Sequence, residues 1–490
     1  MFSSEDYKNA LVAYLELIKT KPQDLEYNYR TGVSYVLSNS IKSKAIPFLE
    51  FASQGKDAKK DASFYLGIAY MNDNRWDDAV KAFNNYKAAG SPKLVAKDAM
   101  PVERLLEMCK NGKELTQHSI DIKFDNMGKY INSPFEDYSP YVSADERTMV
   151  YSSRRKGNLG GMIAEEGVYT ADVYWTSMRD SGGWNKGKSV GATLNTDWDE
   201  ETTAISPDGQ CMFLYFDNMD VFGDLGVAML KGKNWQKPMM MSDKINTKAI
   251  ESGGCMSNDG NTFFFASEKK ETTGGSDLWV TKRQGEGEWG VAQNLGSVVN
   301  TRYDEIAPFI ALDGKTLFFS SKGHNSMGGF DIFKTVYDSA SAKWSKPVNV
   351  GYPLNTADDE YSFCLSGNGR TGYVAAVRPE GLGDKDIYKV TFNEQSVYPF
   401  ESLVSGYVTS GSGTKPELRQ VSLINKSDKK VVALYKPYFI SNHYVLTARP
   451  GNYTLKVEGY GFQPIEEEIT IAESESPSDV VKDFTVTVAK

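Results

Sequence analysis

Small and large apolar side chains alternate in a helical register through the first 116 residues. Ala10, Ala45 and Ala79 lie 35 and 34 residues apart, and each precedes a large side chain by four positions: Tyr14, Leu49 and Phe83. Gly32 and Gly67 are 35 apart, and each is followed three residues later by a tyrosine, Tyr35 or Tyr70. Small residues let two helices approach closely, and the large residue one turn on fills the space beside them. The pattern predicts a repeated helix pair, opening with a helix over 6–20, closed by Pro22, and ending with a last helix over about 101–111.

From 117 to 396 the pattern changes to short apolar runs cut by turn residues. An asparagine recurs at Asn132, Asn195, Asn246, Asn300 and Asn355, with a carboxylate five positions after each: Asp137, Glu200, Glu251, Glu305 and Glu360. Eight residues further on come turn pairs: Asp145-Glu146, Asp208-Gly209, Asp259-Gly260, Asp313-Gly314 and Asn368-Gly369. Asp-Gly and Asn-Gly are strong hairpin signals. An aromatic and β-branched run follows each turn. A third run is then led by an aspartate: Asp172, Asp224, Asp277, Asp331 or Asp386. Four copies end in a tryptophan, Trp184, Trp235, Trp289 or Trp344, each eleven residues before the next asparagine.

Five copies of about four strands each predict a five-bladed β-propeller, in which radial closure protects the sheet edges. The fifth copy lacks its tryptophan strand, and Ile120–Phe124 is expected to supply it. Residues 399–490 carry seven further strand-like runs with turn signals between them, the pattern of a small antiparallel β-sandwich. The expected fold class is therefore multi-domain: an all-α helical repeat at 1–116, an all-β propeller at 117–396 and a sandwich at 399–490.

Composition narrows the function classes. The 490 residues carry a formal charge of −9, with no dense Lys/Arg run, so nucleic acid is not an expected partner. No stretch reaches 18 continuous apolar residues, so no helical membrane span is expected. The four cysteines, Cys109, Cys211, Cys255 and Cys364, are far apart, and the last three fall in apolar strand patterns, as buried thiols do.

The three histidines, His118, His324 and His443, show no metal-ligand spacing and no nucleophile–base signature, and His324 reads as an ordinary surface residue in a flexible loop. No phosphate-binding or dinucleotide motif appears, so no cofactor, metal or catalytic residue is expected. The candidate site is the ring of carboxylates Asp137, Glu200, Glu251, Glu305 and Glu360, which could line a channel mouth and hold a cation or basic peptide. The competing reading, favoured because the pattern recurs in every copy, has each carboxylate accept backbone N–H groups of its own turn. The strand-leading aspartates and the tryptophans read as framework.

The run Tyr65-Leu66-Gly67-Ile68-Ala69-Tyr70 with Trp76, Ala79 and Phe83 resembles the tetratricopeptide repeat. The segment Asp137–Asp145 with Pro140 and Ser143, and the segment Glu305–Gly314 with Pro308, resemble the TolB-type propeller motif. Other copies depart from it, with Gly254 and Phe363 in place of proline and Ala311 in place of serine. Val404-Ser405-Gly406-Tyr407-Val408, with Gly451–Val457 and Gly459-Tyr460, resembles the carboxypeptidase regulatory-like domain. In this order the three resemble the PorE-like periplasmic proteins of the Bacteroidota type IX secretion system.

That resemblance implies a non-enzymatic scaffold, lipid-anchored and associated with the outer membrane. Its partners would be proteins of the secretion machinery, with peptidoglycan bound only if the full protein carries an OmpA-like domain. The half-repeat at the start is expected to reflect trimming. The alternative is a propeller that binds or cleaves glycans.

Overall fold

The computed structural model describes residues 2–96, 99–164, 167–217, 222–285, 287–411, 415–474 and 478–488. Its helical N-terminal region holds six α-helices among the described residues: α1 (Tyr7–Thr20), α2 (Leu25–Leu37), α3 (Ile46–Ala52), α4 (Ala62–Met71), α5 (Trp76–Ala88) and α6 (Val102–Leu115). Asp6 and Asp24 cap α1 and α2, accepting the Asn9 and Tyr27 N–H groups at 3.1 and 3.0 Å. A Cβ at Gly32 would strike Leu49, and one at Gly67 would strike the Phe83 ring. The spaced glycines are thus the seats of the large side chains. α6 runs past the expected end at Asn111, because Gly112 packs under the Trp76 indole and does not break the helix.

The β-rich body is propeller-like, built from five curled sheets among the described residues. The first contains Asp137–Val142, Thr148–Ser153, Asp172–Ser177 and Lys188–Ser189, and the second contains Asp199–Ile205, Cys211–Asp217, Phe222–Lys231 and Met239–Met240. The third starts with Glu251–Met256, Thr262–Ser267 and Asp277–Gln284, and the fourth with Glu305–Ile310, Thr316–Ser321 and Asp331–Asp338. The fifth joins Cys364–Leu365, Thr371–Ala376 and Asp386–Phe392 to Ile122–Asn126, which pairs antiparallel with Asp386–Phe392. The two ends of the body therefore share one sheet.

Successive sheets are clamped by the recurring asparagine. The Asn355 side chain accepts the Ile332 N–H at 2.8 Å and donates to the Ile332 carbonyl at 2.8 Å, imitating a strand pair. Asn300 does the same to Leu278, Asn246 to Leu225, Asn195 to Val173 and Asn132 to Ile387. The last of these joins the fifth sheet to the first and closes the ring.

The outermost strand of each of the first four sheets is broken, whereas that of the fifth, Ile122–Asn126, is continuous. Trp235, Trp289 and Trp344 lie on two-residue strands, and Trp184 makes an isolated bridge with Met178. Pro238 and Pro347 follow two of them, and a proline gives the ladder no N–H.

The C-terminal unit packs two sheets. One is Val431–Tyr435, Glu417–Asn425, Gly451–Tyr460 and Ile465–Ile471, in that order, and it is antiparallel throughout. The other centres on Ser402–Ser410, which is antiparallel to His443–Ala448 but parallel to Val480–Val481 and Phe484–Val486. The expectation of a wholly antiparallel unit is corrected here. The final segment comes back alongside the first strand in the same direction, and alternation of apolar residues carries no information about strand direction.

Candidate functional site: the two faces of the β-rich body

The first-to-second strand turns of all five sheets point to one face, and the C-terminal unit covers that face. The Tyr435 hydroxyl donates to Asp208 at 2.6 Å, and His443 Nδ1 lies 3.3 Å from the Asp208 carbonyl oxygen. Asn258 donates to the Val445 carbonyl at 3.0 Å, and Asn368 donates to Asp479 at 3.3 Å. Leu403 and Val445 pack on Ala144 and Leu312. The Tyr438 ring sits 6.1 Å from Phe213, with the Arg283 guanidinium 4.8 Å from its centre. The turns that spacing marked as hairpins thus also form a docking surface, a role with no signal in the sequence.

Beneath this cover, inner strands of all five sheets, with Val142, Ile205, Cys255, Ile310 and Leu365 among their residues, line a cavity of about 30 Å³. That is space for about one or two water molecules. Burial pushes the Cys255 and Cys364 thiols up to about 12, so neither is a nucleophile near neutral pH.

The five candidate carboxylates do not ring an open mouth. Asp137, Glu200, Glu251 and Glu305 are 0% exposed and Glu360 is 4% exposed. Glu305 accepts the Thr301 N–H at 2.7 Å, the Thr301 hydroxyl at 2.8 Å and the Ser321 hydroxyl at 2.6 Å. Glu200, Glu251 and Glu360 bind Thr196, Thr247 and Thr356 through the same two atoms, and Asp137 accepts the Ser133 N–H. These contacts match the favoured reading and not the channel-mouth alternative: the oxygens are turned onto their own turns, Asn132-Ser133 in the first sheet and an asparagine–threonine pair in the others. Only Asp137 has a guanidinium against it, that of Arg155. Burial pushes Glu200 and Glu305 up to about 7 against the opposing hydrogen bonds, and it raises Glu251 and Glu360 as well.

The strand-leading aspartates sit one sheet back from these carboxylates. Asp277 accepts from the Thr273 N–H and the Asn294 amide, Asp331 from Met327 and Asn349, and Asp386 from Leu382 and Asn126. Asp172 takes the Leu159 N–H at 3.1 Å. Burial lifts Asp172 to about 6 and Asp331 to about 7, and it raises the half-buried Asp224. Trp235 lies 6.3 Å from Trp175 of the preceding sheet, and Trp344 lies 5.9 Å from Phe264. Trp289 meets Phe263 of its own sheet at a tilt, with ring centres 5.8 Å apart, and Trp184 is half-buried against the core. The hydrogen bonds of Asp172, Asp277, Asp331 and Asp386 tie loop N–H groups to the start of a strand.

The helical region docks on the opposite side, over loops of the fourth and fifth sheets. Arg104 is 4% exposed and donates to the carbonyls of Lys322, Gly323 and His324 at 2.7, 2.8 and 3.2 Å. Lys42 pairs with Asp358, and Met327 enters the helical core. His324 is therefore not a surface residue in a free loop. Its ring is 5.2 Å from Phe333, its Nε2 is 2.8 Å from the Val299 carbonyl oxygen, and burial lowers its pKa.

Beside this contact the first sheet carries a charged network that repeat analysis missed, because its members break the repeat. Arg154 binds Asp199 at 2.7 Å and Glu201 at 3.1 Å, and the Tyr138 hydroxyl donates to Glu201 at 2.6 Å. The network borders a cavity of about 440 Å³ between α1, the first sheet and Asp384. No group of three or more His, Cys, Asp or Glu side chains among the described residues is arranged to hold a metal ion.

No family model matches this chain, and no curated protein does. Solved structures with some likeness include TolB from Acinetobacter baumannii, at 13% identity over 62% of this chain and 72% of that one, with a TM-score of 0.33. A putative exo-beta-1,3-galactanase from Bifidobacterium bifidum is 12% identical over 54% of this chain and 98% of that one, with a TM-score of 0.33. An oligogalacturonate lyase in complex with manganese is 10% identical over 54% and 68%, with a TM-score of 0.31. At these scores the likeness decides nothing about activity. No helix among the described residues is long and apolar enough to cross a membrane.

Proposed function

We propose that this chain is a non-enzymatic periplasmic scaffold of the type IX secretion kind. It consists of a tetratricopeptide array at 1–116, a five-bladed propeller at 117–396 and a carboxypeptidase regulatory-like sandwich at 399–490. Its partners are proteins of the outer-membrane secretion machinery, and a peptidoglycan link belongs to an OmpA-like domain if the full protein carries one.

The observation that carries this reading is the way the units are joined. The C-terminal unit seals one end of the propeller axis, and Arg104 and Lys42 lock the helices onto the other side. Buried polar contacts of this kind resist hinge motion, and they leave the outer surfaces as the accessible ones.

The test is retention. The purified chain is immobilised and exposed to a detergent extract of its source bacterium's envelope, and bound proteins are identified by mass spectrometry. Recovery of secretion-machinery proteins is the expected result. Retention of glycan fractions without them refutes the reading.

A further inference from the structure

The five turns that follow the clamping asparagines each present one residue in the same way. In every turn the third residue after the asparagine donates its backbone N–H to the hydroxyl two positions back. Phe135 donates to Ser133, Trp198 to Thr196, Ala249 to Thr247, Tyr303 to Thr301 and Asp358 to Thr356, at 3.1–3.3 Å. A hydroxyl turn of this kind fixes the backbone locally, so the five side chains leave equivalent points of the ring.

Three of these positions are filled, each by a cation of the helical region. The Lys8 ammonium of α1 lies 5.4 Å from the Phe135 ring centre, the Arg104 guanidinium of α6 lies 4.8 Å from that of Tyr303, and Lys42 pairs with Asp358. These turns belong to the first, fourth and fifth sheets, which are consecutive around the ring because the Asn132 clamp joins the fifth to the first. The third sheet has Ala249, which offers a cation neither ring nor charge.

The second sheet has Trp198. It is 37% exposed, and among the described residues no lysine or arginine lies over its ring. Indole is the best cation-binding face among the aromatic side chains, so the unfilled position is well suited to the contact that its equivalents make. Asp197 before it is exposed, and no cation pairs with it among the described residues, whereas Asp199 after it is taken by Arg154 at 2.7 Å. Leu159, also 37% exposed, stands on a loop packed against this turn, where a Cβ at Gly160 would strike the Asp197 backbone. Ring, carboxylate and leucine side by side form a small anchor surface of the kind that protein interfaces use.

We infer that Trp198 receives a lysine or arginine side chain from a helix of a protein partner, with Asp197 as the counter-charge and Leu159 covered by apolar neighbours of that side chain. A helix is the matching occupant because Lys8 and Arg104, the two cations that meet rings at this position, both belong to helices. The partner would thus continue around the ring the interface that the chain's own helices begin. The inference goes beyond the scaffold reading and does not rest on it. A chain that fails here can still retain envelope proteins through other surfaces.

The test uses the full chain and the fluorescein-labelled peptide Ala-Gln-Ala-Leu-Ala-Arg-Leu-Ala-Gln-Ala, with a counterpart in which neutral citrulline replaces arginine. Fluorescence anisotropy gives the affinity, and the indole Nε1–H resonance of Trp198, identified by its loss in Trp198→Phe, gives the location. Saturable binding of the arginine peptide that moves this resonance is expected, weakened about tenfold or more by citrulline, by Trp198→Leu and by Asp197→Asn. Equal binding of the two peptides, no saturation up to about 1 mM, or binding that leaves the Trp198 resonance in place overturns the assignment. A Trp198 resonance that moves with protein concentration before any peptide is added gives the turn to a second copy of the chain and overturns it as well.

Discussion

Replacing Glu305 with glutamine should make this protein less sensitive to rising pH. Glu305 is fully buried, and burial raises its carboxyl from an ordinary 4.5 to about 7, opposed by hydrogen bonds from Ser321 and Thr301 and reinforced by the charge of Asp277. Between those values the folded chain holds a proton that the unfolded chain has released. The stabilising contribution is therefore complete below about pH 4.5, declines as pH rises, and is lost above about pH 7. The gap corresponds to about 3 kcal/mol in total, most of which falls between pH 5 and pH 8.

A glutamine keeps the neutral form's shape and does not titrate. The assay is urea denaturation of the wild type and Glu305→Gln at both pH values. The stability of the variant relative to the wild type should improve by about 2–3 kcal/mol from the acid to the alkaline condition. A relative stability that stays constant to within about 0.5 kcal/mol refutes the argument that burial without a paired cation sets the protonation of this residue.

Three further perturbations probe the joints of the fold. A Cβ at Gly328 would land on the Ala357 backbone, so Gly328→Ala should force the fourth and fifth sheets apart and cost about 1–3 kcal/mol, while an unchanged thermal midpoint contradicts the close approach. Tyr435→Phe removes the buried hydroxyl that Asp208 accepts, at a cost of about 1–3 kcal/mol. Limited proteolysis between 393 and 400 should then release the C-terminal unit faster, and equal rates count against its role as a cover. All four cysteines are buried, so none should react with an aromatic disulfide reagent until denaturant is added. A thiol that reacts promptly in the native protein places it outside the packing described.

What the sequence by itself determined is the part of the molecule that repeats. The asparagines Asn132, Asn195, Asn246, Asn300 and Asn355 each clamp the third strand of the preceding sheet, and the carboxylates five positions on each hold one turn. A role filled locally five times leaves the same residue types at the same spacing, and spacing is visible in a single chain. Gly32 and Gly67 were legible for the same reason, since each accepts one large side chain in an otherwise similar helix pair.

The tertiary structure alone decided everything that happens once. Tyr435, His443 and Asp479 meet turns of the β-rich body from more than 100 residues away, and Arg104 reaches three carbonyls of a loop more than 200 residues on. Glu136, Arg154 and Asp384 come together only where a helix, the first sheet and the fifth sheet converge. The parallel pairing of Val480–Val481 with Ser402–Ser410 belongs to the same class. Periodicity records which face of an element is buried, because burial acts on every residue of that face. It does not record what covers the face, because the covering group lies elsewhere in the chain and need appear only once.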